Sequence, residues 1–136
     1  MKDAKILLVD DEVVFTNNMS KLLSRRGYQV KTANSGYEAL GILMDKAFDV
    51  MVLDLKMPGI DGIATIREVK KLGPLTEVLI LTGHGSIDLA LEALKIGAYD
   101  YVTKPCEITE LVSKIEIGLE KKRLKIKEDH FEWSTQ

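Results

Sequence analysis

Residues 49–62, Asp49-Val50-Met51-Val52-Leu53-Asp54-Leu55-Lys56-Met57-Pro58-Gly59-Ile60-Asp61-Gly62, decide the fold. Val50 to Leu53 form an unbroken apolar run without the polar alternation of a half-solvated strand. That pattern predicts a strand buried on both faces, as in a parallel sheet. Asp54 then falls where the strand leaves the core, and Pro58-Gly59 predicts a tight turn just beyond it. Open α/β sheets bind ligands in the crevice past the carboxyl ends of their strands, which makes Asp54 a candidate site residue. An Asp at such a position also caps following helices, so alone it supports either role.

The flanking sequence repeats this plan. Lys5-Ile6-Leu7-Leu8-Val9 is a second buried run, and it ends at Asp10-Asp11-Glu12. Phe15, Met19, Leu22 and Leu23 recur at helical spacing until Gly27. Residues 28–32 read as a short alternating strand near a sheet edge. Ser35-Gly36-Tyr37-Glu38 has the Ser-x-x-Glu form of a capping box, followed by Leu40, Leu43 and Met44 on one face. A helix from about Asp61 carries Ile63, Ile66 and Val69 and closes at Gly73-Pro74. Residues 77–81 predict another buried strand leading to Thr82-Gly83-His84-Gly85-Ser86. Ser86 is placed to cap a helix with Ile87, Ala90, Leu91 and Leu94 on one face, ended by Gly97. Residues 100–103 predict a last strand before Lys104-Pro105. A final helix from about Glu107 carries Leu111, Ile115 and Leu119, and Cys106 simply begins it. Strands alternating with helices at short spacing argue for a parallel sheet covered on both faces.

The chain has 136 residues, 46% hydrophobic and 29% charged, which fits one ordinary globular domain. A net charge of -2 offers no general attraction to nucleic acid or anionic membrane. A single cysteine excludes a disulfide framework and a thiolate zinc site, and fits a reducing cytoplasm. No apolar stretch approaches a membrane span, and Met1-Lys2-Asp3 starts no signal peptide.

Asp10, Asp11 and Asp54 gathered in one crevice would repel. Two unit charges about 4 Å apart interact by roughly 4 kcal/mol at an effective dielectric near 20. Such a cluster persists by raising a carboxylate pKa, pairing with a cation or binding metal. Mg²⁺ suits an all-oxygen site of this kind. Lys104 brings an ammonium to the same sheet edge, and Thr82 a hydroxyl. An Asp can itself be the nucleophile of phosphoryl transfer, which depends on positioning and on neutralising the equatorial oxygens.

Together these stretches resemble the receiver domain of bacterial two-component response regulators. The resemblance rests on Val9-Asp10-Asp11-Glu12, residues 53–62, Leu81-Thr82-Gly83, Lys104-Pro105 and Gly97-Ala98-Tyr99-Asp100-Tyr101. It covers about residues 5–119. It implies a doubly wound α/β fold, flavodoxin-like, with one five-stranded parallel sheet in the order 2-1-3-4-5. It implies Asp54 as phosphoacceptor, with Asp10, Asp11, Asp54 and the Lys56 backbone carbonyl holding Mg²⁺, or Mn²⁺ in its place. Thr82 and Lys104 would hold the phosphoryl group, Thr82 and Tyr101 would form the switch, and the Lys104-Pro105 bond would be cis. The implied function is a cytoplasmic relay: a sensor histidine kinase phosphorylates Asp54, and protein contacts change in response. Such a domain catalyses only its own phosphorylation and dephosphorylation and turns over no external metabolite. A homodimer through the fourth helix, fifth strand and fifth helix is the expected contact; direct nucleic-acid binding and membrane association are not. Residues 1–120 would form the receiver, and 121–136 a helical extension, linker or tail. The chain suits either a stand-alone receiver or a fragment of a longer regulator.

Two rivals use related chemistry. An aspartyl-phosphate hydrolase resembling the haloacid dehalogenases would need Asp-x-Asp after the first strand, with the nucleophile there. This chain has Asp10-Asp11-Glu12, and its best nucleophile follows the third strand. A flavodoxin-like cofactor binder would need a Ser/Thr-rich phosphate loop after Val9, which is missing. His84 reads as a solvent-facing loop residue that tunes access to the site.

Overall fold

The computed structural model describes residues 3–57, 59–83 and 87–135, with side chains up to residue 128. Its elements are β1 (Lys5–Val9), α1 (Val13–Arg25), β2 (Gln29–Ala33), α2 (Gly36–Asp45), β3 (Val50–Asp54), α3 (Gly62–Leu72), β4 (Glu77–Thr82), α4 (Ile87–Lys95), β5 (Asp100–Thr103) and α5 (Ile108–Thr135). All neighbouring strands are parallel, in the order β2-β1-β3-β4-β5. This is the expected doubly wound sheet, with the alternating strand at its edge.

Side chains alternate across a strand, so each apolar run feeds two cores. Leu7, Val9, Met51, Leu53, Val78 and Ile80 face α2, α3 and α4, where Ala39, Ile66 and Ala90 meet them. Ile6, Leu8, Val50, Val52, Leu79 and Leu81 face α1 and α5, meeting Leu23, Leu111 and Ile115. Each fully buried Leu or Ile contributes about 1.5–3 kcal/mol relative to an exposed one, which explains why the three central strands tolerate no polar alternation.

The capping box forms, with one shift. Ser35 Oγ accepts from the Glu38 N–H at 3.1 Å, while Glu38 Oε2 accepts from Asn34, one residue before the cap. Asp61 Oδ1 accepts from the Ala64 N–H at 2.7 Å and starts α3. Gly62 packs flat on Leu55, where a Cβ would lie 2.6 Å from Leu55 Cδ2. The suggested Ser86 cap and Pro58 lie outside the described residues; Gly59 takes a left-handed bend, with φ +95.

Three helical faces differ from expectation. In α2 the buried residues are Gly36, Ala39 and Leu43, and Met44 is exposed. In α4 Ala90 and Ala93 are buried while Ile87 and Leu91 stand in solvent. In α1 Thr16 joins Met19 and Leu23 inside, and Leu22 faces out. Small residues let these helices approach the sheet closely, and the bulkier side chains flank the contact.

The last helix has 28 residues and a length of about 42 Å. Leu111, Ile115 and Leu119 form its buried stripe. Beyond them Lys122 Nζ meets Asp49 Oδ1 and Lys125 Nζ meets Glu77 Oε1, each at 2.6 Å. Asp49 and Glu77 stand at the starts of β3 and β4, at the end of the sheet opposite Asp54. Among the described residues no helix is long and apolar enough to cross a membrane.

Candidate phosphoryl and metal site

Register assembles the site. Val9 pairs with Leu53, so Asp10 and Asp54, one residue further on, leave the sheet side by side at the point where the winding reverses. Thr82 pairs with Thr103, and the Lys104 N–H donates to the Thr82 carbonyl at 2.7 Å, bringing Lys104 to the same edge. The Lys104-Pro105 peptide is cis.

Asp10 is fully buried and rigidly held. Its Oδ1 accepts from the Glu12 N–H at 3.0 Å, and its carbonyl accepts from Asn34 Nδ2 at 3.0 Å. Its Oδ2 faces the Lys104 ammonium as an ion pair without a well-aligned hydrogen bond. Asp54 Oδ1 accepts from the Lys56 N–H at 3.0 Å, and Asp54 Oδ2 lies 3.5 Å from Lys104 Nζ. Glu12 Oε1 takes a third position on the ammonium at 2.8 Å. The Phe15 ring lies beneath it, 4.6 Å from Nζ to the centroid.

The electrostatics follow from burial and crowding. Burial pushes the Asp54 carboxyl up to about 6, with the Asp10 charge adding and the Lys56 N–H and Lys104 opposing. For Lys104, burial disfavours the ammonium, but its close contacts with the Asp10 and Glu12 carboxylates and the field of Asp54 outweigh it and raise its pKa. Asp54 is therefore a desolvated carboxylate, ionised at neutral pH beside a permanent cation.

One expected neighbour is absent from the inner group. Asp11 is exposed, and the carboxylates whose oxygens lie within 4.8 Å of one another are Asp10, Glu12 and Asp54. The Asp10–Glu12 bond folds residues 10–12 into a turn that carries Asp11 outward and returns Glu12 toward Lys104. The Glu12 side chain makes no capping bond to α1. Sequence reasoning gave neither Glu12 nor Phe15 a place beside Lys104; their spacing of three, which puts both on one turn, was the available signal. Thr82 is buried at the end of β4, its hydroxyl donating to the Gly83 carbonyl at 3.2 Å. Tyr101 is half-buried against the α2–α4 core, and Lys56 is exposed. His84 lies outside the described residues.

The donor set fits a hard divalent cation. It consists of oxygens only, and one of them, buried Asp10 Oδ2, lacks an aligned hydrogen bond.

Residues 6–116 match the family described as response regulator receiver domain. The chain belongs to that family. The receiver is 42% identical over 114 residues to the transcriptional regulatory protein ZraR of Escherichia coli K12, covering 84% of this chain and 26% of that protein. It is 37% identical over 127 residues to a putative NtrX-like response regulator of Rickettsia felis, covering 92% and 27% respectively. The crystal structure of a receiver domain protein from Clostridium thermocellum superposes with a TM-score of 0.84 at 41% identity, over 89% of this chain and 98% of that one. The receiver thus spans about a quarter of the length of the curated relatives it matches. Neither the hydrolase nor the cofactor-binder reading gains support from these relatives.

Proposed function

We propose that this receiver takes a phosphoryl group from a sensor histidine kinase onto Asp54 and relays the signal by changing its protein contacts. The observation that carries the reading is the buried Asp54 carboxylate with Oδ2 3.5 Å from Lys104 Nζ. Oδ1 is engaged by the Lys56 N–H, which leaves Oδ2 as the attacking oxygen. A bond forms from Oδ2 to phosphorus as the bond from phosphorus to the donor's histidine nitrogen breaks. The Lys104 ammonium faces charge on the transferred group, and its anchorage on Asp10 and Glu12 limits its search.

Asp10, Asp54 and the Lys56 carbonyl would hold Mg²⁺ or Mn²⁺, and Asp11, exposed at the rim of the site, would turn inward to join them. When bound, the cation supplies further neutralisation of the phosphoryl oxygens. The same groups govern the chain's own phosphorylation and dephosphorylation, the only reactions it catalyses. The phosphoryl oxygens would draw the Thr82 hydroxyl from Gly83, and Tyr101 would occupy the vacated space. The face made by α4, β5 and α5 carries the output, including pairing with a second copy; exposed Ile87, Leu89 and Leu91 favour that face. Residues 121–136 extend the domain toward whatever it controls, and the setting is the cytoplasm.

Incubation with acetyl phosphate or phosphoramidate and Mg²⁺, read by intact mass, tests the core of this. One base-labile phosphoryl group is expected, and it should vanish in Asp54→Asn. An undiminished mass shift in that variant removes Asp54 from the role.

A further inference from the structure

We propose that Glu12 is a positioning residue that receives the Lys104 ammonium when a divalent cation takes its place on Asp10. The inference rests on the metal reading above. In the structure Lys104 itself neutralises the acids, in contact with Asp10, Glu12 and Asp54. A divalent cation and an ammonium cannot share the Asp10 carboxylate without strong repulsion. Asp10 cannot follow either of them, since it is buried and held through both its Oδ1 and its carbonyl. Lys104 must be the group that moves.

The first turn of α1 is built to receive it. Glu12 already accepts from Lys104 Nζ at 2.8 Å, and its side chain is 66% exposed, so it can follow the ammonium outward. No capping duty ties it to the helix. Phe15, three residues on, puts its ring face under the same ammonium. An anion and an aromatic face on one turn give Lys104 a second resting place next to the first. Without Glu12 the ammonium settles on Asp10 and Asp54 and competes with the cation outright. With Glu12 it steps aside yet stays beside Asp54, within reach of the arriving phosphoryl group.

A double-mutant cycle read by Mg²⁺ calorimetry tests this. Glu12→Gln should weaken Mg²⁺ binding about tenfold when Lys104 is present, because the two residues are directly coupled. In the Lys104→Met background the same change should cost less than about twofold, since only a screened surface charge is lost. Equal losses in both backgrounds would mean that Glu12 acts through its own charge or as a ligand, and would overturn the proposal. No loss in the Lys104-containing background would overturn it as well. A wild type that binds no Mg²⁺ would instead defeat the metal reading itself. If Lys104→Met does not fold, ¹⁵N-lysine spectra supply the answer. The Lys104 ammonium signal should persist on Mg²⁺ addition in wild type and broaden away in Glu12→Gln; identical behaviour in the two overturns the role.

Discussion

Replacing Asp54 by asparagine in metal-free protein should stabilise the fold at neutral pH, although it deletes the proposed phosphoacceptor. The Asp54 carboxyl is raised from 3.8 to about 6, chiefly by burial. A folded-state pKa above the unfolded one means that the native chain binds the extra proton. Ionisation then subtracts stability as pH rises from about 4 to about 6 and leaves a constant penalty above that. The displacement corresponds to about 3 kcal/mol at pH 7.5 and to about 1 kcal/mol at pH 4.5. Asparagine has no charge to desolvate, and Lys104 keeps Asp10 and Glu12 as partners. Urea unfolding with chelator, at both pH values, reads the effect. With a slope of about 2 kcal/mol/M, the midpoint of Asp54→Asn should lie about 1.5 M above wild type at pH 7.5 and about 0.5 M above it at pH 4.5. Equal midpoints at pH 7.5, or an advantage that does not shrink on acidification, would refute the argument that desolvation dominates at Asp54.

Three further outcomes follow from the packing and the ion pairs. Lys125→Met strands the Glu77 carboxylate, whose side chain is 2% exposed, and should cost about 1–3 kcal/mol after allowing for the half-exposed lysine; Glu77→Gln in that background should recover part, and unchanged denaturation midpoints would count against the pair. Gly118→Ala drives a methyl into the Tyr99 hydroxyl, which is pinned to the Lys114 carbonyl at 2.8 Å, and should cost about 1–3 kcal/mol in a thermal melt; a melt matching wild type would show that α5 shifts freely. Sedimentation with beryllofluoride should show stronger self-association in wild type than in Thr82→Ala, and equal association in all samples would exclude the Thr82 switch.

The sheet was legible because, past the Lys5 and Glu77 that open β1 and β4, its central strands carry no polar residue until they reach the site. Val50 to Leu53 and Ile6 to Val9 could be nothing but buried, and the Asp that ends each run marked the crevice. Helix faces were less legible. Spacing treats Leu91 and Met44 as core candidates, but packing onto a sheet favours the residue that permits close approach, so Ala90, Ala93 and Ala39 win. Within the site, Asp10, Asp54, Thr82 and Lys104 were readable as residues at strand ends. The place of Glu12 was not, because it depends on a turn closed by a single side-chain-to-backbone bond at Asp10. A run of three acids says nothing about which of them that bond turns inward.

The fastening of α5 bears on how movement leaves the domain. Lys122 and Lys125 clamp the helix to the starts of β3 and β4, the two strands whose other ends carry Asp54 and Thr82. Anything joined after such a helix is steered by a stiff handle and not trailed on a tether. Its accessible positions would form a narrow cone around the helix direction, whereas a flexible linker of equal length would let it roam a sphere. A small tilt of α5 would then become a displacement of many ångströms at the far end. Loosening the two lysine clamps would exchange that leverage for random reach.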